Sequence, residues 1–342
     1  MIFFVVFDKN VEIPYRIIGA IITPINIYNI TKFIVIFIKR KEIHEIIQKL
    51  PMNYSKLQEK KFKIKKLQNS VKIPFKAFAF LACFTLIRIT IFLAFFSSTK
   101  SFYLDIKFPF DTSNFFIYLS SHFWIACTGT ALNVTLMLSE IFIYNLIVML
   151  IVEFRQLREN FCEIGEKIKK LVKIEKKLKT INCADETKIQ QKLAEIKELH
   201  SQINSSVDHF AVTHSKLLNI RFDIQNIFSK IFLVNFLSTS FIVCFGAFVA
   251  IKSSSIGDSM TNLFLSACQS WMLFVPCKFS EMVKNENFLI AKAAYFCGWE
   301  EIESIEIKKK ILFIIMRSQK SEAFRNWKFS EISLEQFLKV GI

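Results

Sequence analysis

Over 342 residues the chain is 52% apolar and 15% aromatic, and its 45 Lys and Arg against 29 Asp and Glu leave a formal net charge of +16. A positive mean hydropathy of +0.37 excludes an ordinary soluble enzyme or carrier, and 39 Phe beside only 7 Gly and 6 Pro exclude turn-rich sheets in favour of long helices. The basic residues sit in blocks between apolar runs instead of along one helix face, a pattern that orients a membrane protein and argues against a nucleic-acid partner.

The expected fold is therefore all-α, a polytopic membrane helical bundle surrounded by lipid. A bilayer core of about 30 Å needs roughly 20 apolar residues at about 1.5 Å of rise each, and such runs can be followed along the chain. Met1–Phe7 is too short for a signal-peptide core and has no basic leader. The first span, Ile13–Ile38, is interrupted by Arg16, Asn26, Asn29 and Lys32, with Pro14 and Pro24 to start or bend it. Lys39–Lys72 follows as a strongly basic connector, which the positive-inside rule assigns to the cytoplasm.

The second span, Pro74–Ser97, carries Lys76 near its start and Arg88 inside it. Ser98–Ser121 balances Lys100 and Lys107 with Asp105 and Asp111 and belongs outside. The third span, His122–Val152, holds Glu140 near its middle and is long enough to emerge from the membrane on one side. Beyond it, Glu153–Gln225 has mixed charge and helical spacing, so helices are expected to extend the spans into the cytoplasm. There Phe161, Ile164, Ile168, Leu171, Ile174 and Leu178 recur at threes and fours, a stripe suited to a partner helix. Lys167–Lys179 could alternatively lie on a membrane or bind a calmodulin-like groove.

The fourth and fifth spans, Ser229–Ile251 and Thr261–Met282, form a hairpin across the short Lys252–Met260 loop, and Val283–Glu331 returns to the cytoplasm. The expected organisation is transmembrane helices with their basic loop over 1–152, a cytoplasmic helical region over 153–225, a transmembrane hairpin over 226–282 and a cytoplasmic region over 283–342, all in one structural unit.

Catalytic signatures are missing: the chain has no GxGxxG or Walker loop, no GxSxG and no HExxH, so no enzyme and no cofactor is expected. His44, His122, His200, His209 and His214 never fall four apart, and no metal site is expected of them. The eight Cys include no CxxC pair, and about half lie in apolar runs, where they read as small hydrophobes. Arg88 and Glu140 are charges inside spans, where insertion costs at least about 2.5 kcal/mol each. Arg88 can snorkel toward the outer surface, whereas Glu140 must face the bundle interior, protonated or paired, as a structural buttress.

Aromatic residues crowd the outer halves of the spans. Phe92, Phe95, Trp124 and Trp271, with Thr128 and Gln269 to orient a guest, would line a pocket for a small volatile hydrophobic ligand. An interfacial aromatic belt would give the same composition.

Short motifs in a fixed order carry a resemblance. Ile227–Ser240, Tyr295-Phe296-Cys297-Gly298-Trp299, Met316-Arg317-Ser318-Gln319-Lys320 and Ser333-Leu334-Glu335-Gln336-Phe337 are similar to the fifth-helix entry, the Tyr-x-x-x-Trp signature, the Arg-Ala-Gln-Lys element and the Ser-Leu-Glu-x-Phe seventh-helix entry of the insect odorant receptor family. Phe108-Pro109-Phe110-Asp111-Thr112-Ser113 resembles that family's element before helix four, with Glu140 where an Asp is usual. Ser321 stands for a usual Pro, Trp327 near a usual Gly, and Gly298 for an acidic residue.

The resemblance implies an odorant-gated, non-selective cation channel subunit in a hetero-tetramer with an obligate co-receptor, in the plasma membrane of olfactory sensory neurons, with its amino terminus inside. It maps the spans to family helices two to six, makes 283–342 an anchor region leading into helix seven, and leaves the pore-lining helix seven beyond Ile342, an incomplete receptor. Trp299, Arg317, Gln319, Lys320, Ser333, Leu334, Glu335 and Phe337 would form the subunit anchor. Two rivals remain. A gustatory receptor would share the architecture, while a transporter would need paired intramembrane carboxylates or histidines.

Overall fold

The computed structural model describes residues 13–50, 114–179, 186–252, 256–320 and 322–341. The second expected span, the Pro-Phe-Asp-Thr-Ser element, and with them Arg88, Phe92 and Phe95, lie outside the described residues.

The first element, α1 (Ile13–Ile38), coincides with the first expected span and carries Pro24 within it. A turn at Lys39 leads into α2 (Arg40–Lys49), so the basic connector is helical where it begins, with Ile43 and Ile46 buried. The third helix, α3, runs unbroken over Phe115–Lys179, 65 residues. It starts within the connector expected outside, because the Asn114 side chain accepts the Phe116 backbone N–H at 3.0 Å and caps the first turn. The fourth, α4 (Glu186–Lys252, 67 residues), joins a charged half to an apolar half without a break.

The helical hairpin closes between α4 and α5 (Ile256–Tyr295), where the Ser259 hydroxyl donates to the Ala250 carbonyl at 2.7 Å. Inside α5, Pro276 offers no N–H to the turn before it, the usual cause of a local bend. A 3-10 turn, Trp299–Glu301, then leads to α6 (Ile305–Gln319), capped by the Ser304 hydroxyl accepting Ile307 N–H at 3.4 Å. A two-residue hairpin, β1 (Arg325–Asn326) antiparallel to β2 (Ser330–Glu331), precedes α7 (Leu334–Gly341). Among the described residues the architecture is all-helical apart from this small ribbon.

The chain divides into two compact units. Among described residues the first takes 13–38, 114–146 and the stretch from Leu233 to Val275, and the second takes 39–50, 147–232 and 276–341. In the first, large apolar side chains stand exposed on every helix, among them Phe33 and Phe37 on α1, Phe116 and Leu138 on α3, and Phe241 and Phe248 on α4. Apolar surface of that extent suits hydrocarbon, not water. Helices α3 and α4 each hold an apolar stretch long enough to cross a bilayer.

The second unit has a water-type core. Phe154, Phe161, Ile168 and Leu171 of α3 are fully buried, and the stripe finds its partner helix in α4, where Phe210 meets the Phe161 ring edge-on at 4.6 Å. Gly165 lets the chain approach closely: a Cβ there would stand 3.1 Å from the Cys297 Cβ. Burial pushes the Cys297 thiol up to about 11, which leaves it inert. Gly298, which stands where the resembling family has an acidic residue, adopts φ +82°, a conformation that L side chains resist.

Candidate functional site

On α1, Tyr28 and Lys32 lie four residues apart and so share one face. That face meets Glu140 of α3. Lys32 Nζ donates to Glu140 Oε1 at 2.6 Å, the Tyr28 hydroxyl donates to the same oxygen, and the ammonium lies 4.2 Å from the Tyr28 ring centroid. Lys32 and Glu140 are 1% and 2% exposed. Charges taken this far from water persist only when matched, and here the pair is completed by a third hydrogen-bonding group and a π face. Nearby in the same unit, Ser238 of α4 donates to the Pro24 carbonyl at 3.3 Å, tying α4 to α1.

Of the aromatic and polar residues expected to orient a hydrophobic guest, Trp124 and Thr128 stand on the exposed side of α3. The Thr128 hydroxyl donates to the Trp124 carbonyl at 2.8 Å, which leaves its oxygen lone pairs for another donor. Gln269 is half-buried on α5, and the partly exposed Trp271 packs its ring 5.4 Å from that of Phe274. Trp124 and Thr128 are thus brought together on one helix; their expected companions Phe92 and Phe95 lie outside the described residues.

The second unit is fastened by polar contacts between elements far apart in sequence. Glu286 of α5, nearly buried, accepts a hydrogen bond from Arg155 Nε of α3 on Oε1 at 2.9 Å, and its Oε2 forms an ion pair with Arg158 Nη1 at 2.9 Å. His214 of α4 hydrogen-bonds Asn287 Oδ1 at 2.8 Å, and burial pulls its pKa below the ordinary imidazole value. The Gln225 amide acts as a strand would: it donates to the Arg325 carbonyl at 2.8 Å and accepts the Arg325 N–H at 2.6 Å. Arg221 donates to the Glu322 carbonyl at 2.9 Å, and Ser280 Oγ accepts the Phe324 N–H at 2.8 Å. These bonds fix the segment between α6 and the ribbon.

The residues expected to form a subunit anchor all fall in this unit. Trp299 opens the 3-10 turn, half-buried; Arg317, Gln319 and Lys320 are exposed at the end of α6. Ser333 Oγ accepts the Gln336 N–H at 3.2 Å and caps α7, Leu334 and Phe337 are half-buried, and exposed Glu335 pairs with Lys339 at 2.7 Å. Beside them α6 presents Leu312, Phe313 and Met316 to the outside. An open cleft of about 710 Å³ lies between α3 and the turn after α5, lined by Lys169, Lys173, Lys176, Tyr295 and Phe296 with Glu300 and Glu301.

The sequence profile of the 7tm odorant receptor family matches residues 18–341. The chain belongs to the odorant receptor family. Among curated relatives, the receptor is 30% identical over 145 residues to putative odorant receptor 92a of Drosophila melanogaster, a match covering 42% of this chain and 33% of that one. It is 25% identical over 139 residues to odorant receptor 13a of the same fly, covering 37% and 33%. The chain thus spans about a third of the length of the curated relatives it matches. The fold is similar to that of the insect olfactory receptor OR5 from Machilis hrabei, with a TM-score of 0.71 at 16% identity over 98% of this chain and 80% of that one.

The receptor is accordingly a membrane protein of a receptor family and not of an enzyme family. Its exposed apolar helix faces acquire a solvent, the lipid. Sequence reading singled out Glu140 but not its partners. The available signal was Lys32, a basic residue interrupting an apolar span, with an aromatic hydroxyl one turn before it; an intramembrane ammonium requires a carboxylate, and Glu140 was the candidate. No comparable signal pointed to Glu286 with Arg155 and Arg158, or to Gln225: their partners lie 131 and 100 residues away in sequence, and no charge inside an apolar span marks them.

Proposed function

We propose that this receptor is an odorant-gated, non-selective cation channel subunit that works beside an obligate co-receptor in a hetero-tetramer, in the plasma membrane of olfactory sensory neurons. The observation that carries the reading is the odorant receptor family match over residues 18–341. Its ligand is a small volatile hydrophobic molecule, held among Phe92, Phe95, Trp124, Thr128, Gln269 and Trp271, with Thr128 and Gln269 as the few polar contacts that orient it. A ligand that prefers the open arrangement shifts the population toward conduction, and no bond is made or broken.

In this reading the segments 153–225 and 283–342 lie in the cytoplasm, and Trp299, Arg317, Gln319, Lys320, Ser333, Leu334, Glu335 and Phe337 belong to the surface through which subunits meet. Exposed apolar residues of α6 beside exposed Arg317 and Gln319 support such a role, since an apolar patch with a polar rim is what an interface requires.

The test is to express the full-length product of the transcript with and without a co-receptor and record odour-evoked currents. Currents that need both subunits, and whose ligand preference changes in Trp124→Ala or Thr128→Val, are expected. Odour-evoked cation currents of the same size from the chain alone would refute the shared channel, and an unchanged ligand preference in both variants would refute the pocket.

A further inference from the structure

The cleft of about 710 Å³ in the second unit has a chemistry that odour detection does not use. One wall is a single face of α3, where Lys169, Lys173 and Lys176 follow at spacings of four and three, with Val172 between them. The other wall is the end of α5 and the turn beyond it, where Tyr295 and Phe296 stand 57% and 66% exposed with their rings edge to face at 5.2 Å. Lys176 reaches across to Glu301 at 2.5 Å and holds the two walls together. Lys169 and Lys173 have no ion pair among the described residues. Gly298 adds no side chain to the space: even a Cβ there would meet nothing within 4 Å.

The basic α3 segment cannot lay an apolar face into a calmodulin-like groove, because Ile168, Leu171 and Val172 are already buried in this unit. Only its lysines are offered outward. A lipid headgroup is also an unfitting guest. In the topology proposed above, the α3 span ends near Val152; Lys169 lies 17 residues further along the helix, roughly 25 Å at 1.5 Å per residue, well past the headgroup layer. What remains is a soluble guest with two unlike ends, an oligophosphate for lysines and a planar ring for exposed aromatic faces.

We propose that this cleft binds a nucleoside triphosphate, the phosphates on Lys169 and Lys173 and the base against Tyr295 and Phe296, with the Glu300 carboxylate beside the aromatic end to accept an exocyclic amine. The volume falls within the range of roughly 300–1,000 Å³ in which small-molecule sites are found. The site rests on the cytoplasmic placement of this unit, and its occupancy would report the energetic state of the cell to the receptor.

Binding of ATP, tripolyphosphate, adenosine and inositol hexakisphosphate to the detergent-solubilised full chain tests this directly, by calorimetry at fixed salt, with phosphoinositide-containing vesicles as a further arm. ATP is expected to bind tighter than either tripolyphosphate or adenosine. The double change Lys169→Glu and Lys173→Glu should weaken ATP at least about tenfold, while Lys169→Arg with Lys173→Arg should keep it within about threefold. Phe296→Ala should weaken ATP but leave tripolyphosphate unchanged. Both lysines and Phe296 are exposed, so these variants should fold, and an unaltered melting temperature checks it. Equal affinity for ATP and tripolyphosphate, preference for inositol hexakisphosphate or for the vesicles, or ATP binding indifferent to the lysine charges would each overturn the proposal. A receptor that binds ATP this way yet gives no odour current would leave the site standing and refute the channel reading instead.

Discussion

The helix α3 has opposite habits in its two halves. Up to Leu146 it turns Phe116, Trp124 and Leu138 outward and keeps its one carboxylate, Glu140, inside. From Ile147 onward it keeps Phe154, Phe161, Ile168 and Leu171 inside and turns Lys167, Lys169 and Lys173 with Glu163 and Glu166 outward. The inversion identifies the solvent of each half, hydrocarbon for one and water for the other. The two buried carboxylates among the described residues follow suit. Glu140 is met by a fully buried ammonium and a phenol, whereas Glu286 is met by Arg155 and Arg158, whose side chains are 29% and 25% exposed. The first has no water to fall back on, and the second keeps a spare partner at the edge of the solvent.

The largest effect should therefore come from Lys32→Ala. It strands the Glu140 carboxylate, and a broken buried pair costs about 3–5 kcal/mol. Surface labelling should show most of the receptor retained inside the cell, and the double variant Lys32→Met with Glu140→Gln should restore it, because two neutral groups need no partner. A single variant that traffics and melts like the parent would show that Glu140 does not depend on Lys32. Arg155→Ala in the second unit should cost less, about 1–2 kcal/mol, since Arg158 still neutralises Glu286 and solvent reaches the site. Should Arg155→Ala unfold the protein as thoroughly as Lys32→Ala, the contrast between the two environments would fail.

Much of this contrast is legible in the amino-acid sequence itself. Apolar runs gave α1 and the apolar halves of α3, α4 and α5, and the stripe from Phe161 to Leu178 foretold a partner helix, because 3.6-residue periodicity is a local property of the chain. The start of α3 was missed because the connector before it looked like a balanced outer loop, while a single asparagine cap at Asn114 sufficed to begin the helix seven residues sooner than His122. The partners of Glu286, Asn287 and Gln225 were illegible for a different reason: no periodicity announces a contact that depends on how three helices pack. The ligand residues sit between these cases, since aromatic composition identifies the membrane interface as readily as a pocket.

The smallest expected effect concerns a departure from the resembling family's usual residue. Trp327 stands near a position where the resembling family usually has Gly, in the turn joining β1 to β2, and its φ of +50° lies in the left-handed region, which costs a residue with a Cβ about 1–2 kcal/mol. What opposes that cost is a tilted contact with the Phe329 ring, centroids 6.3 Å apart, on a side chain still 46% exposed, and such contacts contribute at most about 0.5–1.5 kcal/mol. The backbone bonds of the turn, Trp327 N–H to the Arg325 carbonyl and Phe329 N–H to the Asn326 carbonyl, both 3.0 Å, need no side chain. Trp327→Gly should therefore stabilise the second unit slightly, by up to about 1 kcal/mol, seen as a small rise in the melting temperature of the solubilised receptor. Trp327→Ala should lower it, because it keeps the strained φ and loses the ring contact. If Gly lowered the melting point as much as Ala, the aromatic contact would outweigh the backbone strain at Trp327.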